Sequence, residues 1–158
     1  MKSLVSKLSV RLIFKQLKLV TVESCTGGLI GKVMTDSAGS SDWYEGGYIT
    51  YSNRAKNRLV NVPETLIEKY GAVSIEVAEA MARGASIQFS DCVSVSVTGI
   101  AGPGGGTSDK PVGTVCIACH YSSELKTRKF NFEGSRNDIR QQTVQQAIEM
   151  LLSMDLKK

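Results

Sequence analysis

The sequence predicts an α/β protein: one domain, layered α/β/α, built around a mixed β-sheet. Three observations predict it. Short apolar or β-branched runs at residues 19–23, 48–51 and 92–97 alternate with stretches of helical spacing. The runs at 112–121 and 125–132 are separated by Ser122-Ser123 alone, which reads as an antiparallel hairpin. No repeat, low-complexity tract or linker divides the chain, so residues 1–158 read as one unit.

The elements follow in order. Leu4, Leu8, Leu12 and the run 14–17, including Phe14, mark an amphipathic helix over 1–18 that packs on the domain. Residues 19–23 form the first strand, and helical spacing starts at Gly27 and runs to Met34. Residues 37–41, Ser-Ala-Gly-Ser-Ser, break that helix. After Gly46-Gly47, the β-branched and aromatic residues 48–51 form a short strand. Ser52-Asn53 caps a helix bearing Ala55, Lys56 and Leu59. Pro63 suits the first position of a short helix that ends near Tyr70-Gly71. Ser74 caps a longer helix with Val77, Ala78, Met81, Ala82 and Ala85 on one face. The alternating strand 92–97 leads into a glycine-rich loop over 99–111, then the hairpin. Ser135 opens the last helix, with Ile139, Val144, Ala147, Ile148 and Leu151 inward.

Composition narrows the function classes. The chain of 158 residues is 42% hydrophobic and 22% charged, with a formal charge of +4. Basic and acidic residues are interspersed, so there is no nucleic-acid arm, and no apolar run is long enough to cross a bilayer. Lysines and an arginine interrupt the first 18 residues, which leaves no signal-peptide core. The four cysteines, Cys25, Cys92, Cys116 and Cys119, are therefore expected as free thiols in a reducing, cytoplasmic setting. His120 is the only histidine, which rules out a two-histidine metal site; no metal or cofactor is expected. Cys116-Ile117-Ala118-Cys119-His120 matches a haem-attachment pattern, but on a strand its two cysteines point to opposite faces.

Chemistry concentrates in two turns. In Val20-Thr21-Val22-Glu23-Ser24-Cys25-Thr26-Gly27-Gly28, a strand ends at two potential nucleophiles, followed by glycines and a helix start. Such a turn sets Ser24 and Cys25 beside backbone N–H groups that helix bonding leaves open. A plain βα turn capped by Thr26 is the bland alternative. The loop 99–110 is neither a Walker A loop nor a clean dinucleotide fingerprint, yet its glycines can present N–H groups to an anion. Position alone puts Lys56 on a solvated helix face. It leaves Arg136 and Arg140, one turn apart, either as an anion clamp or as exposed side chains.

Together, three segments closely resemble the CinA C-terminal domain family. They are Glu23-Ser24-Cys25-Thr26-Gly27-Gly28; Tyr51-Ser52-Asn53-Arg54-Ala55-Lys56; and Thr98-Gly99-Ile100-Ala101-Gly102-Pro103-Gly104-Gly105, continuing through Lys110-Pro111-Val112-Gly113-Thr114-Val115. Gly39-Ser40-Ser41, Gly71-Ala72-Val73-Ser74 and Gly134-Ser135-Arg136 also fit family positions, and the likeness runs from about Val20 to the end. The chain looks like the stand-alone form of the domain; the segment before Val20 departs from the family pattern.

The resemblance implies an amidase that converts nicotinamide mononucleotide to nicotinate mononucleotide and ammonia in pyridine-nucleotide salvage, or a silent nucleotide-binding module of the same family. It implies Ser24 as nucleophile, Lys56 as its base and Tyr51 close by. It also implies a small pyridine nucleotide as partner and self-association, for which the apolar face of the first helix would serve. An unprotonated lysine base needs its pKa pulled below about 10.4 by burial or positive neighbours. On this reading Cys25, Thr26, Gly27 and Gly28 surround the oxyanion and substrate, while Gly102, Gly104, Gly105 and Arg136 hold the ribose phosphate. Cys25 is the rival nucleophile, since a thiol beside a helix N-terminus can ionise easily.

Overall fold

A computed structural model describes residues 1–156. The elements are α1 (Lys2–Lys15), β1 (Lys18–Glu23), α2 (Leu29–Thr35), a 3-10 turn (Ser40–Asp42), β2 (Tyr44–Ile49), α3 (Asn53–Val60), α4 (Glu64–Tyr70) and α5 (Ile75–Gln88). They continue with β3 (Cys92–Gly99), β4 (Thr114–Tyr121), β5 (Glu124–Asn131) and α6 (Arg136–Leu152). The five strands form one mixed sheet in the order β2-β1-β3-β4-β5. β1 runs parallel to both β2 and β3, and β3-β4-β5 is antiparallel.

Strand periodicity divides the core between two faces. Leu19 packs with Leu8 and Leu12 of α1, Ile30 and Met34 of α2, and Ile139, Val144 and Ile148 of α6. The alternate residues Val20 and Val22 pack with Val60 of α3, Ile67 of α4, and Val77 and Met81 of α5. The architecture is thus α/β/α.

Most predicted elements appear within one or two residues of their expected ends. Ser52, Ser74 and Ser135 each accept a hydrogen bond from the backbone three residues on, as N-caps do; Ser135 and Asp138 close a full capping box. Cys116 and Cys119 of β4 lie in different core clusters, as strand alternation requires, and all four cysteines are free and buried.

Several expectations need correction. β2 begins at Tyr44 and ends before Tyr51, so Gly46-Gly47 lies inside the strand. The sequence pattern starts the strand only after these glycines, but space demands one at 47: a Cβ there would collide with Thr21 Oγ1 and stand 2.8 Å from the Tyr44 hydroxyl. Pro63 precedes α4 as its N-cap rather than opening it. Phe14 does not pack on the domain; it is 83% exposed, and Val10 and Ile13 are exposed on the same helix. β3 alternates apolar and polar residues, yet both faces are covered. Ser94, Ser96 and Thr98 are satisfied inside by donating to the carbonyls of Ala82 (2.9 Å), Ala78 (2.5 Å) and Ala72 (2.8 Å).

No helix among the described residues is long and apolar enough to cross a membrane.

Candidate active site

The chain leaves β1 for β2 on one side, and β3 lies on the other. The carboxyl ends of these three parallel strands therefore open into a crevice where strand order switches, the usual ligand position in open α/β sheets. A cavity of about 180 Å³ sits there. Ser24 and Cys25 line it from the end of β1, and Tyr51, Asn53 and Lys56 from beyond β2. Thr98, Gly99 and Ala101 come from β3 and its loop, Ala72 and Val73 from the turn before α5, and Arg136 from α6.

Lys56 is the decisive residue. Position suggested a solvated helix face, but the side chain turns inward and is 1% exposed. Its Nζ lies 3.0 Å from Ser24 Oγ, 3.0 Å from the Thr50 carbonyl and 3.5 Å from the Tyr51 carbonyl. Among the described residues no carboxylate lies within ion-pair distance of it. Burial therefore lowers its pKa from the ordinary lysine range, opposed only by the Cys25 thiol. A buried amine whose charged form is disfavoured, held against a hydroxyl, is a candidate to take a proton from that hydroxyl.

Cys25 has the opposite character. It lies beside Ser24 in the same cavity, but burial pushes its thiol up to about 12, against the smaller opposing effects of its own backbone N–H and Lys56. The helix N-terminus does not produce the easily ionised thiol that the sequence suggested.

Burial is the main reason, and a carboxylate at that helix start adds to it. The Glu23 side chain, 2% exposed, folds back under the turn. Its Oε2 accepts from the Thr26 hydroxyl (2.7 Å) and from the N–H groups of Gly28 and Ile30 (both 3.0 Å), while Oε1 accepts from Gly31 N–H (2.8 Å). The Gly27 and Leu29 N–H groups bond back to Ser24 and Thr26 carbonyls. Thr26, Gly27 and Gly28, expected around the substrate, are not among the residues that line the cavity: Glu23 takes the Thr26 hydroxyl and the Gly28 N–H, and the Ser24 carbonyl takes the Gly27 N–H. Among the described residues, the Thr26 N–H in this turn has no hydrogen-bond partner, and the Cys25 N–H faces only its own thiol.

Arg136 does line the cavity. It donates to the Gly102 carbonyl (2.8 Å) and to the Tyr51 hydroxyl (3.3 Å), so it bridges the glycine loop and the far wall. Tyr51 is 61% exposed and stands at the mouth. Gly102 is buried beneath Arg136 and presents a carbonyl to it, whereas Gly104 and Gly105 are exposed and lie outside the cavity. Arg140 turns away from the mouth to donate to the Thr26 carbonyl (2.6 Å). Asn53, Ala72, Val73, Thr98, Gly99 and Ala101 were not singled out from sequence as site residues. The signal available was their place inside the three motif segments and the Gly71–Ser74 turn.

Residues 1–154 match the sequence model of the family described as CinA C-terminal domain. The chain belongs to that family. The solved structure of a CinA superfamily protein from Escherichia coli is 37% identical with a TM-score of 0.90, covering 94% of this chain and 87% of that one. A competence/damage inducible protein from Agrobacterium tumefaciens is 38% identical with a TM-score of 0.88, covering 95% and 94%. Among curated relatives, a CinA-like protein of Leptospira biflexa is 44% identical over 142 residues, 89% of this chain and 34% of that protein. The chain thus spans about a third of the length of the CinA-like relatives it matches. The Pseudomonas putida protein named nicotinamide-nucleotide amidohydrolase PncC is 47% identical over 137 residues, covering 87% of this CinA domain and 86% of that protein.

Proposed function

We propose that this CinA C-terminal domain is an amidohydrolase that converts nicotinamide mononucleotide to nicotinate mononucleotide and ammonia through an acyl-enzyme on Ser24. The observation that carries the reading is the buried Lys56 amine, 3.0 Å from Ser24 Oγ with no carboxylate of the described residues in ion-pair range. The substrate comes from the likeness to the Pseudomonas putida amidohydrolase over most of both chains.

A primary amide is a weak electrophile, so it needs an activated nucleophile and a cradle for the developing oxyanion. A neutral Lys56 has two N–H bonds and one lone pair. The two bonds stay with the Thr50 and Tyr51 carbonyls, which can only accept. The lone pair then faces the Ser24 hydroxyl and takes its proton as Oγ attacks the carboxamide carbon. The Cys25 N–H, on the residue that lines the cavity beside Ser24, is the donor this reading assigns to the oxyanion; one such donor is worth roughly 3 to 4 kcal/mol in well-studied cases. The Lys56 ammonium returns its proton to the departing nitrogen, and ammonia leaves. Water, deprotonated by the same amine, then splits the ester and restores Ser24. Arg136 supplies the positive charge at the mouth for the phosphate, and Tyr51 closes the wall against which the ribose rests.

The test is incubation of the purified protein with nicotinamide mononucleotide in the presence of chelator, with ammonia and nicotinate mononucleotide measured together. Both products are expected from the natural sequence and neither from Ser24→Ala or Lys56→Ala. Product formation by either variant at the natural rate would overturn the mechanism.

A further inference from the structure

The helix α2 N-terminus looks like an anion site from sequence, with a glycine-bearing turn and open N–H groups. The structure fills it from within. Glu23, the last residue of β1, sends its carboxylate under the turn and takes three backbone N–H groups and the Thr26 hydroxyl. On the opposite side Arg140 of α6 takes the Thr26 carbonyl. The turn that carries the nucleophile is therefore held from both sides by side chains outside the cavity. Of the two N–H groups in this turn that no other described residue claims, at Cys25 and Thr26, the one at Cys25 is on a residue that lines the cavity.

We propose that Glu23 is a positioning residue for the reaction: by claiming the α2 N-terminus it fixes Ser24 Oγ against Lys56 and holds the Cys25 amide at the cavity wall for the oxyanion. The inference rests on the amidase reading and adds to it a division of labour. The substrate's own anion is excluded from the α2 N-terminus, because a buried carboxylate already occupies it. Recognition of the substrate falls to Arg136, Tyr51 and the Ala72–Val73 turn, which stand on other elements. A rigid turn matters because displacement of a reacting group by about 1 Å can cost on the order of 100-fold in rate. Glutamine at this position keeps the length of the side chain but turns one acceptor oxygen into an N–H donor facing N–H donors. The turn must then shift.

Two variants test this, with thermal unfolding followed alongside turnover of nicotinamide mononucleotide. Glu23→Gln is expected to lower kcat roughly 10- to 100-fold with KM held within about twofold, the range seen when groups that orient reacting residues are lost. Thr26→Val, which removes one of the four donors without changing side-chain size, is expected to lower kcat roughly threefold, a milder form of the same loss. Assays run well below both unfolding transitions separate lost positioning from lost folded protein. A folded Glu23→Gln variant with the natural kcat, or one that changes KM alone, would overturn the proposal. If Glu23→Gln does not fold, Thr26→Val decides, and an unchanged kcat there overturns it equally. A natural protein that releases no ammonia defeats the amidase reading and this inference together; an active natural protein with indifferent variants defeats this inference alone.

Discussion

Gly84 links the stability of the domain to its proposed chemistry. It lies within α5, where that helix crosses the end of α3. A Cβ at this position would overlap the Val60 carbonyl oxygen and stand 2.7 Å from the carbonyl carbon. Carbon atoms prefer about 3.5 to 4.0 Å, so Gly84→Ala must drive the two helices apart by roughly 1 Å. Alanine gains about 1 kcal/mol over glycine in helix propensity, while overpacking costs about 1 to 3 kcal/mol, leaving a net loss of up to about 2 kcal/mol. At about 2 to 4 °C per kcal/mol for a chain of this size, Tm is expected to fall by no more than about 8 °C. The effect on turnover is larger. Val60 lies one helical turn beyond Lys56, so a displacement of α3 by roughly 1 Å stretches the 3.0 Å approach of Nζ to Ser24 Oγ past hydrogen-bond range. Such a displacement costs on the order of 100-fold in kcat. Thermal unfolding and ammonia release measured on the same preparation test both numbers. A folded Gly84→Ala variant with natural turnover would refute the claim that α3 sets the reacting distance.

Two further outcomes are expected. Burial lowers the Lys56 pKa, so below its folded value the charged amine opposes folding, and that cost fades as pH rises towards the unfolded value of about 10.4. Chemical denaturation across pH should therefore show the natural protein gaining stability relative to Lys56→Met as pH rises between these values; parallel curves would deny the buried amine its shift. Arg11 of α1 donates to the carbonyls of Leu151, Leu152 and Met154 at the end of α6. Hydrogen bonds from a charged group are worth about 1.5 to 3 kcal/mol, so Arg11→Ala should lower Tm by several degrees and leave kcat unchanged, with calorimetry and turnover as the readouts.

The fold was largely legible because its signals are local. Alternation of period 2 and period 3.6, the serine caps and the two-serine hairpin turn each act within a few residues. The misreadings come from distant contacts. Gly47 sits inside β2 because Thr21 and Tyr44 leave no room there for a side chain, which no local pattern reveals. The alternation of β3 marks a strand, but it does not show that its serines bond to α5 carbonyls. Phe14 has the right spacing for a helix but points away from the sheet. The candidate site was legible as motifs and not as geometry. Ser24 and Lys56 are 32 positions apart, and only the packing of α3 beneath the sheet edge joins them. The glycines after Ser24 suggest ligand contact, while no local pattern reveals that the neighbouring Glu23 uses the amides of Gly28, Ile30 and Gly31 itself.

The central claim is that the hydroxyl at position 24, activated by a buried amine, becomes acylated. Rapid acid quenching of the protein during turnover of nicotinamide mononucleotide, followed by peptide mass spectrometry, tests it most directly. The nicotinate mononucleotidyl group should appear as an ester on Ser24 and be absent from Lys56→Ala. Its appearance on Cys25 would contradict the claim.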